Sequence, residues 1–263
     1  MQTILITTLV ITVVGIIVGG GLVYTSKKFY VEVDEREAEV RAVLPGNNCG
    51  ACGYAGCDAL AAAIASGEAS VNACPVGGNP VAEKIGGIMG VEAEEQERMV
   101  AYVRCKGNCE VTKNQANYVG VSDCRAAVLS GMNVSDCSFG CLGLGSCEHV
   151  CPQGAIKVVD NVAVVDESKC ISCGLCVKTC PRGIIELKPQ TKRVSVQCQN
   201  RDRGPLVKQV CSAGCIGCTL CTRVCETGAI TVVDNLARID YAKCTQCGKC
   251  AEKCPPHVIM IAG

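Results

Sequence analysis

The sequence is poor in aromatic residues and in histidine. It contains no Trp, two Phe, six Tyr and two His among 263 residues. Because aromatic side chains supply much of the apolar area in protein cores, the chain is poorly supplied for a large core after its first 26 residues. Metal sites built on imidazole are not expected either, and we assign neither His149 nor His257 as a ligand. Something other than apolar burial must stabilise the fold.

The chain also lacks net charge, since 25 Lys and Arg residues balance 25 Asp and Glu residues. This balance excludes a generally basic nucleic-acid-binding protein. The zero is nevertheless the sum of two opposed parts. Residues 27–104 carry 7 basic and 12 acidic side chains, whereas residues 105–263 carry 18 basic and 13 acidic ones. A basic C-terminal part favours an acidic protein partner.

Motifs for nucleotide binding and catalysis are missing. No G-x-G-x-x-G run follows a strand pattern, and there is no P-loop. The glycine-rich run at residues 46–53, GNNCGACG, is interleaved with cysteine. No pair of Asp or Glu residues indicates acid–base chemistry, so we assign no catalytic residue.

Cysteine is in excess, with 25 residues. Such a density is typical of disulfide scaffolds or of metal-loaded chains. An odd count and the lack of a convincing secretory signal argue against disulfides. Metal binding by thiolates is the remaining explanation, and the spacing of the cysteines tests it.

A run of 20 uncharged residues, Ile4–Val23, has the length that a membrane-spanning helix needs. It lacks the basic start and the cleavage site of a signal peptide, which predicts a retained anchor. Lys27 and Lys28 follow it directly, so the positive-inside rule places the rest of the chain in the cytoplasm. We therefore expect a single-pass protein of the inner membrane. Gly15 and Gly19 are spaced for contact with another membrane helix, although glycine is also common in such spans.

A first group of four cysteines lies between residues 48 and 75. Three of them follow the pattern C-x2-C-x4-C, and a distant Cys-Pro completes the group. Structural zinc sites usually use two separate C-x2-4-C pairs, whereas three ligands on one loop favour an iron–sulfur cube. We assign this [4Fe-4S] cluster to Cys49, Cys52, Cys57 and Cys74.

An internal duplication accounts for most other cysteines. Residues 137–187 match residues 211–261 with a shift of 74 and no gap, and eight cysteines coincide. Each copy ends in C-x2-C-x2-C-x3-C-P, the spacing of bacterial two-cluster ferredoxins, in which the fourth Cys binds the other cluster. Between the cysteines, each copy has an Ala-Ile-x-Val-Val-Asp-Asn segment that predicts a β-hairpin.

The two copies differ at one ligand position, where Cys218 of the second copy corresponds to Leu144 of the first. Cys137, four residues before Cys141, is the obvious substitute. Glu226 stands where proline usually follows the fourth Cys, which removes no sulfur. The four predicted sets are Cys137, Cys141, Cys147 and Cys180; Cys151, Cys170, Cys173 and Cys176; Cys215, Cys218, Cys221 and Cys254; and Cys225, Cys244, Cys247 and Cys250.

Five cysteines are left over: Cys105, Cys109, Cys124, Cys198 and Cys211. Four of them could form a sixth [4Fe-4S] site, because two flank the segment between the copies and the others lie just before the first copy. The alternative is that they are scattered free thiols. We predict a site from Cys124, Cys198, Cys211 and either Cys105 or Cys109, and the sequence does not decide between the last two.

These patterns predict an α+β protein with five [4Fe-4S] clusters and a proposed sixth. Its predicted parts are a transmembrane helix (1–26), a four-iron-sulfur domain (27–104), a connecting segment (105–136), a first ferredoxin-like module (137–187), a linker (188–210) and a second module (211–263).

Several clusters on one chain, without a nucleotide or flavin motif, indicate an electron-transfer pathway. A basic surface would speed the encounter with an acidic ferredoxin. Taken one by one, these basic side chains could equally form a solvated face. The candidates are Lys243, Lys249, Lys253 and Arg223 in the second module, or Lys188, Lys192, Arg193, Arg201, Arg203 and Lys208 in the linker.

Over essentially its whole length the chain resembles the B subunit of the Rnf complex. The resemblance rests on the N-terminal apolar run, Asn48-Cys49-Gly-Ala-Cys52-Gly, Cys74-Pro75, Arg104-Cys105-Lys-Gly, Cys137-Ser-Phe-Gly-Cys141-Leu-Gly-Leu-Gly-Ser-Cys147 and the ferredoxin repeats. Residues 48–75 are also similar to the four-iron-sulfur domain of corrinoid iron–sulfur proteins.

The resemblance implies the electron-entry subunit of an ion-translocating ferredoxin:NAD+ oxidoreductase. Such a subunit accepts electrons from reduced ferredoxin and passes them to membrane and flavin subunits, and NAD binds to another subunit. Two alternatives stay open: a related electron donor that reduces a redox-sensing transcription regulator, and an assembly subunit whose clusters are structural.

Overall fold

The computed structural model of the chain describes residues 2–28, 34–113, 118–131 and 134–261. Its first element is helix α1 (Gln2–Lys28), which contains the uncharged run of residues 4–23. Within these described ranges, no helix is both long enough and apolar enough to cross a membrane. The membrane anchor predicted from the sequence is therefore not supported by the structure.

Three helices form the N-terminal iron–sulfur domain: α2 (Glu35–Val43), α3 (Cys57–Ala65) and α4 (Gly78–Met89). Asp34 caps the N-terminus of α2, because its carboxylate accepts a hydrogen bond from the Arg36 amide at 3.0 Å. Gly90 ends α4 in the left-handed conformation, with a φ of 70°. The helices pack around a small aliphatic core of Val40, Leu44, Leu60, Ala61, Ile64 and Ile85.

The first ferredoxin-like module follows in the order β1 (Met99–Val103), α5 (Cys124–Leu129), α6 (Ser146–His149), β2 (Ile156–Val159), β3 (Val162–Val165), α7 (Leu175–Thr179) and β4 (Ile185–Pro189). β2 pairs with β3, and β1 pairs with β4, both antiparallel. The second module repeats this arrangement with β5 (Val194–Val196), α8 (Gly204–Val210), α9 (Leu220–Arg223), β6 (Ile230–Val233), β7 (Leu236–Ile239), α10 (Lys249–Glu252) and β8 (Ile259–Ile261).

Both hairpins predicted from the Val-Val-Asp-Asn segments are confirmed by the β2–β3 and β6–β7 pairs. Each turn consists of an Asp and an Asn with positive φ. The φ angles are 48° and 67° at Asp160 and Asn161, and 50° and 60° at Asp234 and Asn235. Two consecutive positive φ angles twist the turn to match the flanking strands, which keeps the connection short.

The repeated unit is larger than the sequence comparison showed, because each module begins with an additional strand. Val103 of β1 pairs with Ile185, and Val196 of β5 pairs with Ile259, the residue that the internal duplication aligns with Ile185. Hence β1 and β5 are equivalent, and the segment predicted as a linker contains the first strand of the second module. We define module 1 as residues 99–189 and module 2 as residues 194–261.

The core of each module combines small aliphatic side chains with thiols. In module 1, Ile156, Ile184 and Ile185 pack beside buried cysteines, and in module 2 Leu236 and Val258 do the same. Such cores bury little apolar surface for their size. Thiols thus supply part of both cores in a chain that has few aromatic residues.

Candidate metal centres

The N-terminal site is formed by the four thiols predicted from the sequence. Cys49, Cys52, Cys57 and Cys74 line one cavity beside α3. The Asn48 side chain supports this loop, because its Oδ1 accepts a hydrogen bond from the Cys57 amide at 2.8 Å. The Gly77 amide donates to the Cys74 sulfur at 3.3 Å. Burial raises the pKa of the Cys74 thiol, and the neighbouring Cys52 and Cys57 raise it further.

Module 1 brings together a second predicted set, which we call the outer site of module 1: Cys151, Cys170, Cys173 and Cys176. Burial raises the pKa of Cys176 to about 11, and the neighbouring thiols of Cys173 and Cys170 raise it further. Two amides point at sulfur: Ala155 donates to Cys151 at 3.3 Å, and Ala101 of β1 donates to Cys170 at 3.4 Å.

Module 2 holds two predicted sets in two separate cavities. Its inner site is lined by Cys215, Cys218, Cys221 and Cys254. Its outer site is lined by Cys225, Cys244, Cys247 and Cys250. In the outer site, the side-chain amide of Gln246 donates to the Cys244 sulfur at 3.1 Å.

The inner site of module 1 differs from the prediction at one thiol. The predicted set was Cys137, Cys141, Cys147 and Cys180. The structure places Cys124 with Cys141, Cys147 and Cys180, and moves Cys137 to another site. Burial raises the pKa of Cys147 to about 12, and Cys141, Cys124 and Cys180 are the thiols that raise it further.

Cys124 reaches this site because it is the first residue of the short helix α5. Asp123 caps the helix by accepting a hydrogen bond from the Ala126 amide at 2.8 Å. The Cys124 amide donates to Ser146 Oγ at 2.6 Å, and Ser146 immediately precedes Cys147. Leu144, which replaces the regular ligand, packs against the cluster of apolar side chains that contains Cys124. Helix α5 thus supplies the thiol that the ligand loop around Leu144 lacks.

Cys137 lies instead in a cavity between the two modules, which we call the linker site. Five cysteines line this cavity: Cys105, Cys137, Cys141, Cys198 and Cys211. Because Cys141 lies with Cys124, Cys147 and Cys180 in the inner site of module 1, we assign the other four to the linker site. Cys124 was predicted here and is not among them. Burial raises the pKa of Cys105 to about 12 and that of Cys198 to about 11, and Cys137 contributes to both shifts. Asn200 Nδ2 donates to the Cys137 sulfur at 3.5 Å.

The linker site is built from equivalent halves. The Cys141 amide donates to the Cys105 sulfur at 3.4 Å, and the amide of Cys215, the counterpart of Cys141, donates to the Cys198 sulfur at 3.3 Å. Cys137 and Cys211 are likewise counterparts in the internal duplication.

The equivalence of Cys105 and Cys198 was hidden from a gapless comparison. The segment between Cys105 and Cys137 is longer than the segment between Cys198 and Cys211, so no single shift aligns both pairs. The only sequence signal is a short Val-x-Cys run in which the Val is the last residue of the first strand of each module.

The sequence did not decide between Cys105 and Cys109 as the fourth ligand of the sixth site. In the structure, Cys105 lines the linker site. Cys109 is exposed to solvent, and its amide donates to the Asp160 carbonyl at 3.1 Å. Cys109 is therefore the cysteine outside all six groups.

The donor sets fit thiolate-bound iron–sulfur clusters. Each set consists of four thiols around a cavity or a buried space, and backbone amides that point at sulfur stabilise the charged thiolate. Burial of neighbouring thiols disfavours their ionisation, so a bound cation is needed to hold four thiolates together. Among the residues that the structure describes, no three His, Cys, Asp or Glu side chains are arranged to hold a single metal ion.

The prediction is wrong for one candidate docking residue. Lys188 was a candidate surface cation, but its side chain is 1% exposed and its Nζ lies 2.9 Å from Glu167 Oε1. It also donates to the Lys192 carbonyl at 2.9 Å. Since Lys188 lies on strand β4 inside module 1, it cannot contribute to a docking surface.

Together, the tandem ferredoxin-like modules and the grouped thiols define an iron–sulfur electron-transfer protein of the ferredoxin type. Family comparisons agree. A model described as "Putative Fe-S cluster" matches residues 44–76, a "4Fe-4S binding domain" matches residues 163–186, and a "4Fe-4S dicluster domain" matches residues 214–258.

Similarity to curated proteins extends over nearly the whole chain. The B subunit of the Na+-translocating ferredoxin:NAD+ oxidoreductase complex of Acetobacterium woodii is 45% identical over 98% of this chain and 78% of its own length. The B subunit of an ion-translocating oxidoreductase complex of Methanosarcina acetivorans is 41% identical over 99% of this chain and 100% of its own length. The B subunit of a proton-translocating ferredoxin:NAD+ oxidoreductase complex of Clostridium ljungdahlii is 41% identical over 98% of this chain and 93% of its own length. The chain belongs to the family of Rnf complex B subunits.

Proposed function

We propose that the chain carries electrons along six [4Fe-4S] clusters in an Rnf-type ion-translocating ferredoxin:NAD+ oxidoreductase. The observation that carries this proposal is the continuous series of six four-thiol groups, each next to another. A single cluster could be structural, but clusters in series support electron movement over a long path. The names of the relatives support ferredoxin as electron donor, and we propose that NAD and flavin bind to other subunits.

The contacts between sites support a proposed order of the pathway. Burial raises the pKa of Cys173 of the outer site of module 1, and Cys49 of the N-terminal site raises it further. A cleft between the N-terminal domain and module 1 is lined by both Cys74 and Cys170. The N-terminal site is thus the neighbour of the outer site of module 1. Within each module, the outer and inner sites share short helices. For example, α7 carries Cys176 of one site, and Cys180 of the other site caps its C-terminal end.

The linker site joins the two modules in the middle of the series. Cys141 of one inner site donates its amide to Cys105, and Cys215 of the other inner site donates its amide to Cys198. The proposed order therefore begins at the outer site of module 2. It continues through the inner site of module 2, the linker site and the inner and outer sites of module 1, and it ends at the N-terminal site.

Iron and sulfide analysis of the anaerobically purified protein tests this proposal. We expect about 24 iron atoms per chain, four for each of six clusters, and clusters that are reduced by reduced ferredoxin. A content of about 20 iron atoms per chain would mean that one of the six sites binds no cluster. Zinc in place of iron, or clusters that ferredoxin does not reduce, would contradict an electron-transfer role.

We place the entry point for electrons at the outer site of module 2. In module 1, Cys173 is 9% exposed and has the N-terminal domain as its neighbour. The equivalent residue of module 2, Cys247, is exposed. Two exposed lysines lie near this thiol in the sequence, although both are paired: Lys243 with Asp240 at 3.7 Å, and Lys249 with Glu226 at 2.5 Å.

Reversing the charge of Lys243 provides a matched test of docking. We expect Lys243→Glu to lower the rate of reduction by ferredoxin about threefold to tenfold at low salt, because the steering field is weakened. The control is Lys169→Glu, since Lys169 is the equivalent residue of module 1 and also pairs with an aspartate, Asp166, at 3.2 Å. The difference should vanish at high salt. Equal losses in both variants, or no loss in either, would place the entry point elsewhere.

We also propose that the complex is associated with the inner membrane, with the clusters on the cytoplasmic side. The relatives are named as translocating ions, which requires a membrane, and residues 4–23 carry no charge. Separation of membranes from the soluble fraction of cells that produce the full chain tests this placement. Recovery of the chain in the soluble fraction would contradict it.

A further inference from the structure

The linker site takes two thiols from module 1 and two from module 2. It can therefore form only if the modules keep one position relative to each other. The contacts between the two modules, which we call the joint, decide this position.

Two tyrosines meet at this joint. The ring of Tyr102, on β1 of module 1, packs edge-to-face against the ring of Tyr241 of module 2. The ring centroids are 6.5 Å apart and the planes are inclined by 86°. This is a favourable geometry for an aromatic pair. Burial raises the pKa of both phenols, so both stay protonated at physiological pH.

An ion pair supports the Tyr102 side of this contact. Glu186 accepts a hydrogen bond from the Tyr102 hydroxyl at 3.1 Å and another from Arg104 Nη1 at 2.6 Å. The Arg104 side chain is 3% exposed, whereas that of Glu186 is 41% exposed. A buried cation is costly unless its partner is held in place. The pair is therefore coupled to the position of Tyr102, because Tyr102 on β1 lies opposite Glu186 on β4.

These four residues are absent from the equivalent positions of the repeat. Tyr102, Arg104, Glu186 and Tyr241 correspond to Ser195, Gln197, Met260 and Glu167. The ferredoxin fold itself does not require them, since the other copy folds with different side chains. Their shared location at the joint indicates a role there.

A second contact crosses the joint nearby. Lys106, which follows Cys105 and lines the linker site, donates to the His257 carbonyl at 3.4 Å. Its Nζ also lies 3.3 Å from the sulfur of Met260. Both residues that flank Cys105 thus belong to the joint.

We propose that Arg104 is a positioning residue for the linker site: with Glu186 it fixes Tyr102 against Tyr241 and so holds module 2 where four thiols can bind one cluster. This proposal rests on the proposed cluster at the linker site. Arg104 lines the cavity of the linker site beside Cys105 but is not one of its four thiol ligands, and it acts through the joint between the modules.

The decisive variant is Arg104→Gln, which installs the side chain that module 2 has at the equivalent position. We expect it to lose about four of about 24 iron atoms, together with the EPR signal of one cluster, while the other five signals and their midpoint potentials stay unchanged. Glu186→Gln leaves the buried cation unpaired and should cause the same loss. As the control, Lys169→Gln removes the cation of an exposed ion pair of module 1, with Asp166, and should keep all the iron.

Several results would overturn the proposal. Arg104→Gln or Glu186→Gln could retain all six clusters with unchanged signals, in which case the ion pair positions nothing. Loss of much more than four iron atoms would also contradict it, because Arg104 would then support the whole fold. Failure of the underlying cluster assignment is distinguishable, since the unaltered protein would then contain about 20 iron atoms.

Discussion

Replacing Cys137 and Cys198 together should remove no more iron than replacing Cys198 alone. We expect each of these variants, with alanine at the altered positions, to lose about four of about 24 iron atoms. The reason is that both thiols line the linker site, so loss of the first already prevents a four-thiolate cluster. Two changes within one site are not additive. Iron and sulfide analysis of the purified variants measures this directly.

The matched double variant combines Cys198→Ala with Cys124→Ala. Because Cys124 lies with the inner site of module 1, this pair should lose about eight iron atoms. The assignment expected from the sequence predicts the reverse, with about eight lost from the Cys137 pair and about four from the Cys124 pair. Cys109→Ala should keep all the iron, since Cys109 is exposed and outside every group.

Removal of the linker cluster should divide the pathway in the middle. In Cys198→Ala, we expect reduced ferredoxin to reduce about two clusters quickly, those of module 2, while the three on the other side of the gap stay oxidised. The physical reason is that electron transfer weakens steeply with distance, and the gap would then span two steps. Freeze-quench EPR counts the reduced clusters as a function of time.

A terminal variant provides the control for this experiment. Cys74→Ala removes the N-terminal site, which lies at the far end of the proposed order. The other five clusters should then be reduced as fast as in the unaltered protein. If Cys198→Ala also reduced all of its remaining clusters at the unaltered rate, the linker site would not be an obligatory step.

Most of the cysteine grouping could be predicted because the local spacing of ligands is dictated by short loops. Cys170, Cys173 and Cys176 lie on one loop and the start of one helix, so their association needs no knowledge of the rest of the fold. The hairpin turns, such as Asp160-Asn161, were equally local. Agreement between local preference and global fold makes such segments readable.

The inner site of module 1 and the linker site could not be assigned in this way. Cys124 and Cys137 both lie shortly before Cys141 in the sequence, and either could have replaced the ligand missing at Leu144. The choice depends on the capped helix α5 and on the hydrogen bond from Cys124 to Ser146. Proximity in the sequence favoured Cys137, but the fold uses that residue in the contact between modules.

The buried ion pair of Arg104 and Glu186 was likewise invisible in the sequence, because its residues lie 82 positions apart. The buried Lys188 shows the same limit. In the sequence it belongs to a basic run and favours a solvated surface, whereas strand β4 turns its side chain inward to Glu167. Which side of a strand is buried depends on register with a distant partner.

The equivalent halves of the linker site have a consequence for assembly. Each module offers one thiol after its first strand and one at the start of its first ligand loop, so two separate copies of one module could present the same four thiols across a symmetric dimer interface. Such a dimer would come apart on dilution. Joining the copies in one chain replaces that concentration dependence with a fixed effective concentration, so formation of the central cluster no longer depends on how much protein the cell contains.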